Sequence, residues 1–454
     1  MANEASEHDL RSFLDWVSDK GASSYLHVDK TISPRFETTA VVQGMARKLR
    51  SPVIRFDDVE GSSYPMVTNV CASIDRVAKS VGLTVDELNA RFVAALDAPV
   101  APVVVAADEA PVRAISESMP EFPLSRFPEL VYTATQEQPY ITSSIVVARD
   151  PDTGAHNLSF HRLMIDSDDV AAIYMTPGGH LDQIWKKNAE AGKPTPVAAA
   201  IGTHPLWCYA SLVSGPLEHD DWGVAGAVLG APIALTSGQV DPELLVPAQS
   251  EFVLEGLLDA VDSREEGPFG EFLGYVAEPG SRPVVRFTSM SSREAPIYQD
   301  IVAGQVEHLT MSSISLRARL ERDYFVANPA VVNFWLPAPM TLFLAIDASV
   351  QTDFDADALM QDLLGESYLK QVYCFDADVD LRKLASVQSA IACFVQADRD
   401  VQVFEARNGN GVDPSEIDGK TAKVAVDARA KSKPVRSELP EDFAASFDLN
   451  DWIR

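Results

Sequence analysis

Val246-Pro-Ala-Gln-Ser-Glu-Phe-Val-Leu-Glu-Gly256 and, ten residues on, Glu266-Gly-Pro-Phe-Gly-Glu271-Phe-Leu-Gly-Tyr275 decide the reading of this chain. Phe252 to Glu255 reads as a strand. Glu266 and Glu271 stand five residues apart, about 140° around a helix and on opposite faces of a strand. Pro268 disfavours a helix in any case. Gly267, Pro268 and Gly270 instead read as a turn, and a turn can bring both carboxylates to one place. Paired carboxylates push one proton affinity up, which suits a proton donor. A plain acidic surface turn is the competing reading in so acidic a protein.

Similar texture surrounds this stretch. Ile141 to Ala148, Leu158 to Ile165, Val197 to Ile201 and Pro283 to Thr288 are short β-rich runs punctuated by Gly and Pro. They predict a mainly β domain, a barrel, with a short helix near Leu206 to Val213. On the N-terminal side, Leu10, Phe13, Leu14 and Val17 keep helical spacing, with Gly21 as a stop. Thr84 and Glu87 make a capping box before Leu88, Phe92, Val93 and Leu96. Pro52 to Phe56 and Pro102 to Ala107 read as strands, and Pro120 to Pro128 as a linker.

On the C-terminal side, Val331 to Leu336, Thr341 to Ala345 and Gln371 to Phe375 read as strands. Asp355 to Leu364 and Leu381 to Val395 read as helices, so the sheet should be partly parallel. Asn408 to Pro434 reads as a loop with one short strand, and Phe443 to Ile453 as a docking helix. The expected fold is α/β (α+β), in three parts: 1–120 α/β, 121–305 β-barrel, 306–454 α/β. The length of 454 residues suits about three domains.

The charge of −29, from 66 acidic and 37 basic residues, repels polyanions. It argues against nucleic-acid and anionic-membrane partners. No run of 18 apolar residues could span a bilayer. The opening Met-Ala-Asn-Glu-Ala-Ser-Glu lacks the plan of a signal peptide. Cys71, Cys208, Cys374 and Cys393 contain no CxxC pair. Reduced thiols and a cytoplasmic location are expected.

Three more segments carry polar chemistry. Asn157-Leu-Ser-Phe-His-Arg162 is strand-like, and Arg162 borders the apolar Leu163 to Ile165, so its charge needs a buried partner. Thr176-Pro-Gly-Gly-His180 lets backbone approach a ligand closely before a histidine. Glu218-His-Asp-Asp221 precedes Trp222-Gly-Val-Ala-Gly226. Imidazole, carboxylate and amide oxygen together suit Mn²⁺ or Mg²⁺. Each segment alone also reads as ordinary structure.

In this order, the four segments resemble the UbiD family of decarboxylases, which use prenylated FMN. The resemblance covers roughly 130–430 and, more faintly, the N-terminal part. It implies a flavin-binding split barrel in the centre and a catalytic network of Arg162, Glu266 and Glu271, with Glu271 as proton donor. Asn157 and His180 match ligands of a divalent metal, Mn²⁺ or Mg²⁺, that bridges the flavin phosphate; K⁺ can accompany it. The third ligand, usually Glu, falls on Asp221, one methylene shorter, with Glu218 or Asp220 as fallback. Ser159, Phe160, His161 and Gly179 fall in the cofactor-binding segments with Asn157, Arg162 and His180, and Lys370 matches a lysine at the cofactor phosphate. Thr176 and Phe272 fall where family members place substrate-facing side chains.

The implied reaction is reversible non-oxidative decarboxylation of an α,β-unsaturated or (hetero)aromatic acid through a covalent prenylated-flavin adduct. The implied partners are the acid, a flavin prenyltransferase that supplies the cofactor, and a second copy in a homodimer or larger assembly. A catalytically silent flavin-binding homologue, or an enzyme run towards carboxylation, is the rival reading.

Overall fold

The computed structural model describes residues 8–119, 121–213, 215–271, 273–351 and 353–431. The chain divides into two compact units, Met1–Tyr324 with Val412–Pro414, and Phe325–Gly411 with Ser415–Arg454. The expected helix at Phe443 to Ile453 lies outside the described residues.

A closed, six-stranded antiparallel barrel forms the centre of the first unit. Its strands are β1 (Tyr140–Arg149), β2 (His156–Ile165), β3 (Val170–Ile173), β4 (Thr195–Ile201), β5 (Phe252–Glu266) and β6 (Gly280–Ser292). They run in the order β5-β4-β1-β2-β3-β6, and β5 pairs β6 to close the ring. Closure leaves no free edge among these six. It needs a bulge, and the β5–β6 register shifts between Glu255 and Gly256 and again between Leu258 and Ser263. Gly256 is required there: a Cβ would stand 2.2 Å from the Arg286 carbonyl oxygen.

Alternation along the strands explains why their sequences are apolar throughout. Val147, Ala198, Ala200 and Val253 join one buried cluster, whereas Val146, Ala148, Val197, Ala199, Phe252 and Leu254 join another. Both faces of these strands are therefore core. The first cluster also takes in Leu10, Phe13, Leu14 and Val17 of the helix Leu10–Ser18. The four-stranded N-terminal sheet uses Tyr25–Val28, Val53–Phe56, Met66–Thr68 and, from beyond the barrel, Tyr298–Gln299. The Thr84–Glu87 capping box forms as expected.

Two expectations are corrected. The Pro-rich stretch near residue 120 is no linker: Phe122, Leu124 and Phe127 are fully buried, and Phe122 and Phe127 pack against Tyr64. Burial of these side chains outweighs the loop-like signal of the prolines. Of Pro102 to Ala107, only Val103–Val104 is a strand, and a 3₁₀ turn begins at Ala107.

The second unit is a five-stranded mixed sheet in the order Val331–Ala338, Thr341–Ile346, Gln371–Asp376, Lys420–Asp427, Val401–Asn408. The three inner strands are parallel and both edge pairings antiparallel. Ala356–Leu363 and Leu384–Phe394 are helices. Among the described residues no helix is long and apolar enough to cross a membrane. All four cysteines are free.

Candidate active site

The predicted turn brings the two glutamates onto one guanidinium. Glu266 ends β5, the Gly267–Pro268 peptide is cis, and Phe269–Gly270 pairs back with Val276–Ala277. Gly267 has φ of 102°, in the region that favours glycine, and a Cβ there would stand 3.1 Å from Pro279 Cα. The Glu271 N–H then donates to the Tyr275 carbonyl at 2.8 Å, which fixes the far side of the turn.

Arg162 reaches in from β2. Its Nε donates to Glu266 Oε1 at 2.8 Å and its Nη2 to Glu266 Oε2 at 3.1 Å. Its Nη1 donates to Glu271 Oε1. Glu266 is fully buried and Glu271 nearly so. Burial opposes the Arg162 cation, but the two carboxylates outweigh it and raise the Arg162 pKa. An Arg held this way keeps its charge in any accessible pH range and orients both acids.

Several groups in this cluster carried no sequence signal. The Tyr140 hydroxyl, from β1, donates to Glu266 Oε1 at 3.0 Å and accepts the Gly267 N–H at 3.1 Å. Burial first, then Glu266, raises the Tyr140 pKa, so the phenol stays a donor. The Arg162 guanidinium lies between the Tyr174 and Phe269 rings, 4.5 and 4.4 Å from their centroids. His308 accepts the Gly304 N–H on Nδ1 at 3.3 Å. Burial lowers the His308 pKa and Arg162 adds to this, while Glu271 opposes it. A lone tyrosine or histidine far away in sequence gives no pattern to read, so only the fold reveals these groups.

A second polar line runs along β2. Asn157, Ser159 and His161 alternate and so share a face. Asn157 Nδ2 donates to Ser159 Oγ at 3.0 Å. Ser159 Oγ is 2.9 Å from His161 Nε2, and His161 Nδ1 is 2.8 Å from the Tyr174 carbonyl. The carbonyl fixes Nδ1 as the donor and Nε2 as the acceptor from Ser159. Burial lowers His161 to about 4, so the ring is neutral. This chain turns the Asn157 amide so that its oxygen remains to accept. Phe160 points the other way and packs partly buried against the core.

Asp221 begins the helix Asp221–Leu229 and is buried. Its Oδ2 accepts the Leu158 N–H at 2.8 Å, beside Asn157. No Lys or Arg pairs with it among the described residues, and burial pushes it up to about 7. Asp220 is spent otherwise: it caps the helix at Trp222 N and accepts from His156 N and Nδ1 at 3.0 and 2.8 Å. Gly179 is the N-cap of the helix His180–Glu190. Burial lowers the His180 pKa, and the charge of Glu218 opposes that. Among the described residues no hydrogen bond joins His180 to Asn157 or Asp221. A buried carboxylate without a cation, an amide oxygen and an imidazole fit a hard divalent ion.

Thr176 is exposed, and its carbonyl accepts the Gly179 N–H at 2.9 Å. Phe272 lies outside the described residues. Lys370 belongs to the second unit, where its Nζ donates to Ser415 Oγ at 2.5 Å.

Comparison with known proteins agrees with this geometry. Residues 103–306 match the 3-octaprenyl-4-hydroxybenzoate carboxy-lyase Rift-related domain. Residues 21–96 and 310–428 match the N-terminal and C-terminal domains of the same carboxy-lyase. The chain belongs to the UbiD family. The UbiD-class enzyme HmfF from Pelotomaculum thermopropionicum, solved with FMN, superposes with a TM-score of 0.90 at 29% identity. That match covers 98% of this chain and 100% of HmfF. An evolved dimeric form of HmfF, solved with prFMN, gives 0.86 at 28%, over 98% and 100%.

Among curated UbiD-family relatives, anhydromevalonate phosphate decarboxylase of Methanothermobacter thermautotrophicus is 29% identical, over 93% of this chain and 96% of its own. Gallate decarboxylase of Lactiplantibacillus plantarum is 26% identical, over 98% and 95%. The chain is thus a UbiD-family carboxy-lyase of mixed α/β fold with a central barrel, and the two HmfF structures it resembles hold flavins, FMN and prFMN.

Proposed function

We propose that this carboxy-lyase decarboxylates an α,β-unsaturated or (hetero)aromatic acid, with Glu271 as proton donor and Arg162 and Glu266 as its support. One observation carries the reading: a single buried guanidinium holds both carboxylates, Glu266 through two bonds and Glu271 through one. Glu266 is fully committed to Arg162 and Tyr140. Glu271, held at one oxygen and slightly exposed, is the acid left with room to meet a substrate. Arg162 also offers the charge that an incoming carboxylate needs.

Prenylated FMN, when bound, supplies the electron sink that no side chain here provides. Asn157, His180 and Asp221 would hold Mn²⁺ or Mg²⁺ at its phosphate; the uncompensated Asp221 carboxylate beside Asn157 supports this set. Ser159 and His161 orient Asn157, and Phe160 and Gly179 support the same segments. K⁺ is part of the same proposal, as are Thr176 and Phe272 at the substrate. Aromatic rings around Arg162 exclude water from the acids.

The three matched segments, 21–96, 103–306 and 310–428, support a division into three parts, with the first boundary near residue 100 instead of 120 and the second near 305. The evolved dimeric HmfF supports a homodimer as the simplest assembly. The two named relatives act, by their names, on a phosphorylated anhydromevalonate and on gallate. Those names support both aliphatic and aromatic acids as classes to test.

The test is expression with a flavin prenyltransferase, confirmation of bound cofactor by mass and visible spectrum, then CO₂ release from a panel of both classes. Turnover of at least one acid is expected. Bound cofactor with neither CO₂ release nor hydrogen–deuterium exchange at the α-carbon would favour the silent flavin-binding reading.

A further inference from the structure

A second guanidinium, Arg282 on β6, stands at the catalytic cluster. Its Nε lies 3.8 Å from Glu266 Oε2, is buried, and has no hydrogen-bond partner. Its guanidinium carbon lies 4.8 Å from the Tyr174 centroid, so Tyr174 receives a guanidinium from each of Arg162 and Arg282. A Cβ at Gly280 would stand 3.1 Å from Arg282 Nη2, so the absent side chain leaves room for the arginine to lie back.

Charge counting gives this residue a purpose. Glu266, Glu271 and Arg162 sum to −1 when both acids are ionised. A buried site with that charge repels a carboxylate substrate. Arg282 brings the sum to zero, and a proton on Glu271 then makes it +1. We propose that Arg282 is a positioning residue that neutralises Glu266, so that the charge of Arg162 remains available to bind the substrate carboxylate. This rests on the reading of Glu271 as proton donor.

Arg282→Gln removes the charge, and Arg282→Lys keeps it. The probes are benzoate and its neutral isostere benzamide, titrated into flavin-loaded enzyme and read from flavin absorbance. Wild type should prefer benzoate. Arg282→Gln should weaken benzoate about tenfold, leave benzamide unchanged and keep the melting temperature, and Arg282→Lys should recover most of the loss. Unchanged benzoate binding in Arg282→Gln, equal loss of both probes, or a wild type without preference would overturn the proposal. A fully active Glu271→Gln enzyme would instead defeat the proton-donor reading and leave the benzoate result standing.

Discussion

Arg162 and Glu266 form a two-pronged, buried pair, Nε to Oε1 at 2.8 Å and Nη2 to Oε2 at 3.1 Å. Removing the guanidinium would leave two carboxylates facing each other with little water. Arg162→Ala should lose decarboxylation and cost about 3–5 kcal/mol of stability. Arg162→Lys should not restore activity, because an ammonium cannot reach both acids in the planar fork. Urea melts and CO₂ release, measured on both variants, check this; an active lysine variant would contradict it.

Asp220 and Asp221 are neighbours with opposite jobs. Asp220→Ala removes a helix cap and the His156 partner, and should cost about 1 kcal/mol while metal content is kept. Asp221→Ala should lower metal and flavin retention together. Elemental analysis of the purified variants separates the two. Unchanged metal in Asp221→Ala, with loss in Glu218→Ala, would move the ligand to Glu218, whose charge acts on His180.

Glu307 predicts a pH dependence of stability. Burial pushes it up to about 8, against bonds from the Asn69 and Cys71 N–H groups at 2.8 and 2.6 Å. Its folded pKa is above the unfolded value, so its contribution is present at low pH and is lost as pH rises towards about 8. The slope from this group is at most about 1.4 kcal/mol per pH unit. Glu307→Gln cannot ionise, so urea midpoints near about pH 5 and about pH 8 should differ less in the variant than in wild type. An identical difference would contradict the assignment.

What the residues reveal unaided follows from local chemistry. Gly267, Pro268 and Gly270 announce a turn, and Leu10, Phe13, Leu14 and Val17 announce a buried helix face, because backbone and burial preferences act over a few positions. The length of β5 was hidden. Only Phe252 to Glu255 reads as strand, yet the strand runs on to Glu266. Its later residues Asp259, Asp262 and Arg264 are half-buried and pair across with Arg286 and Asp166 instead of burying apolar surface. Tyr140, Tyr174, Arg282 and His308 were equally hidden, because barrel closure joins them across long stretches of chain. Asp221 could be separated from Asp220 only once the cap and the Leu158 bond were visible.

The most direct test of the central claim is CO₂ release by Glu271→Gln at matched flavin occupancy, using an acid that wild type turns over. Gln keeps the shape and can still accept from Arg162, but it cannot donate an acidic proton. Turnover at least about 100-fold lower, with cofactor spectrum and melting temperature retained, is the expected result. Turnover equal to wild type would contradict Glu271 as the proton donor.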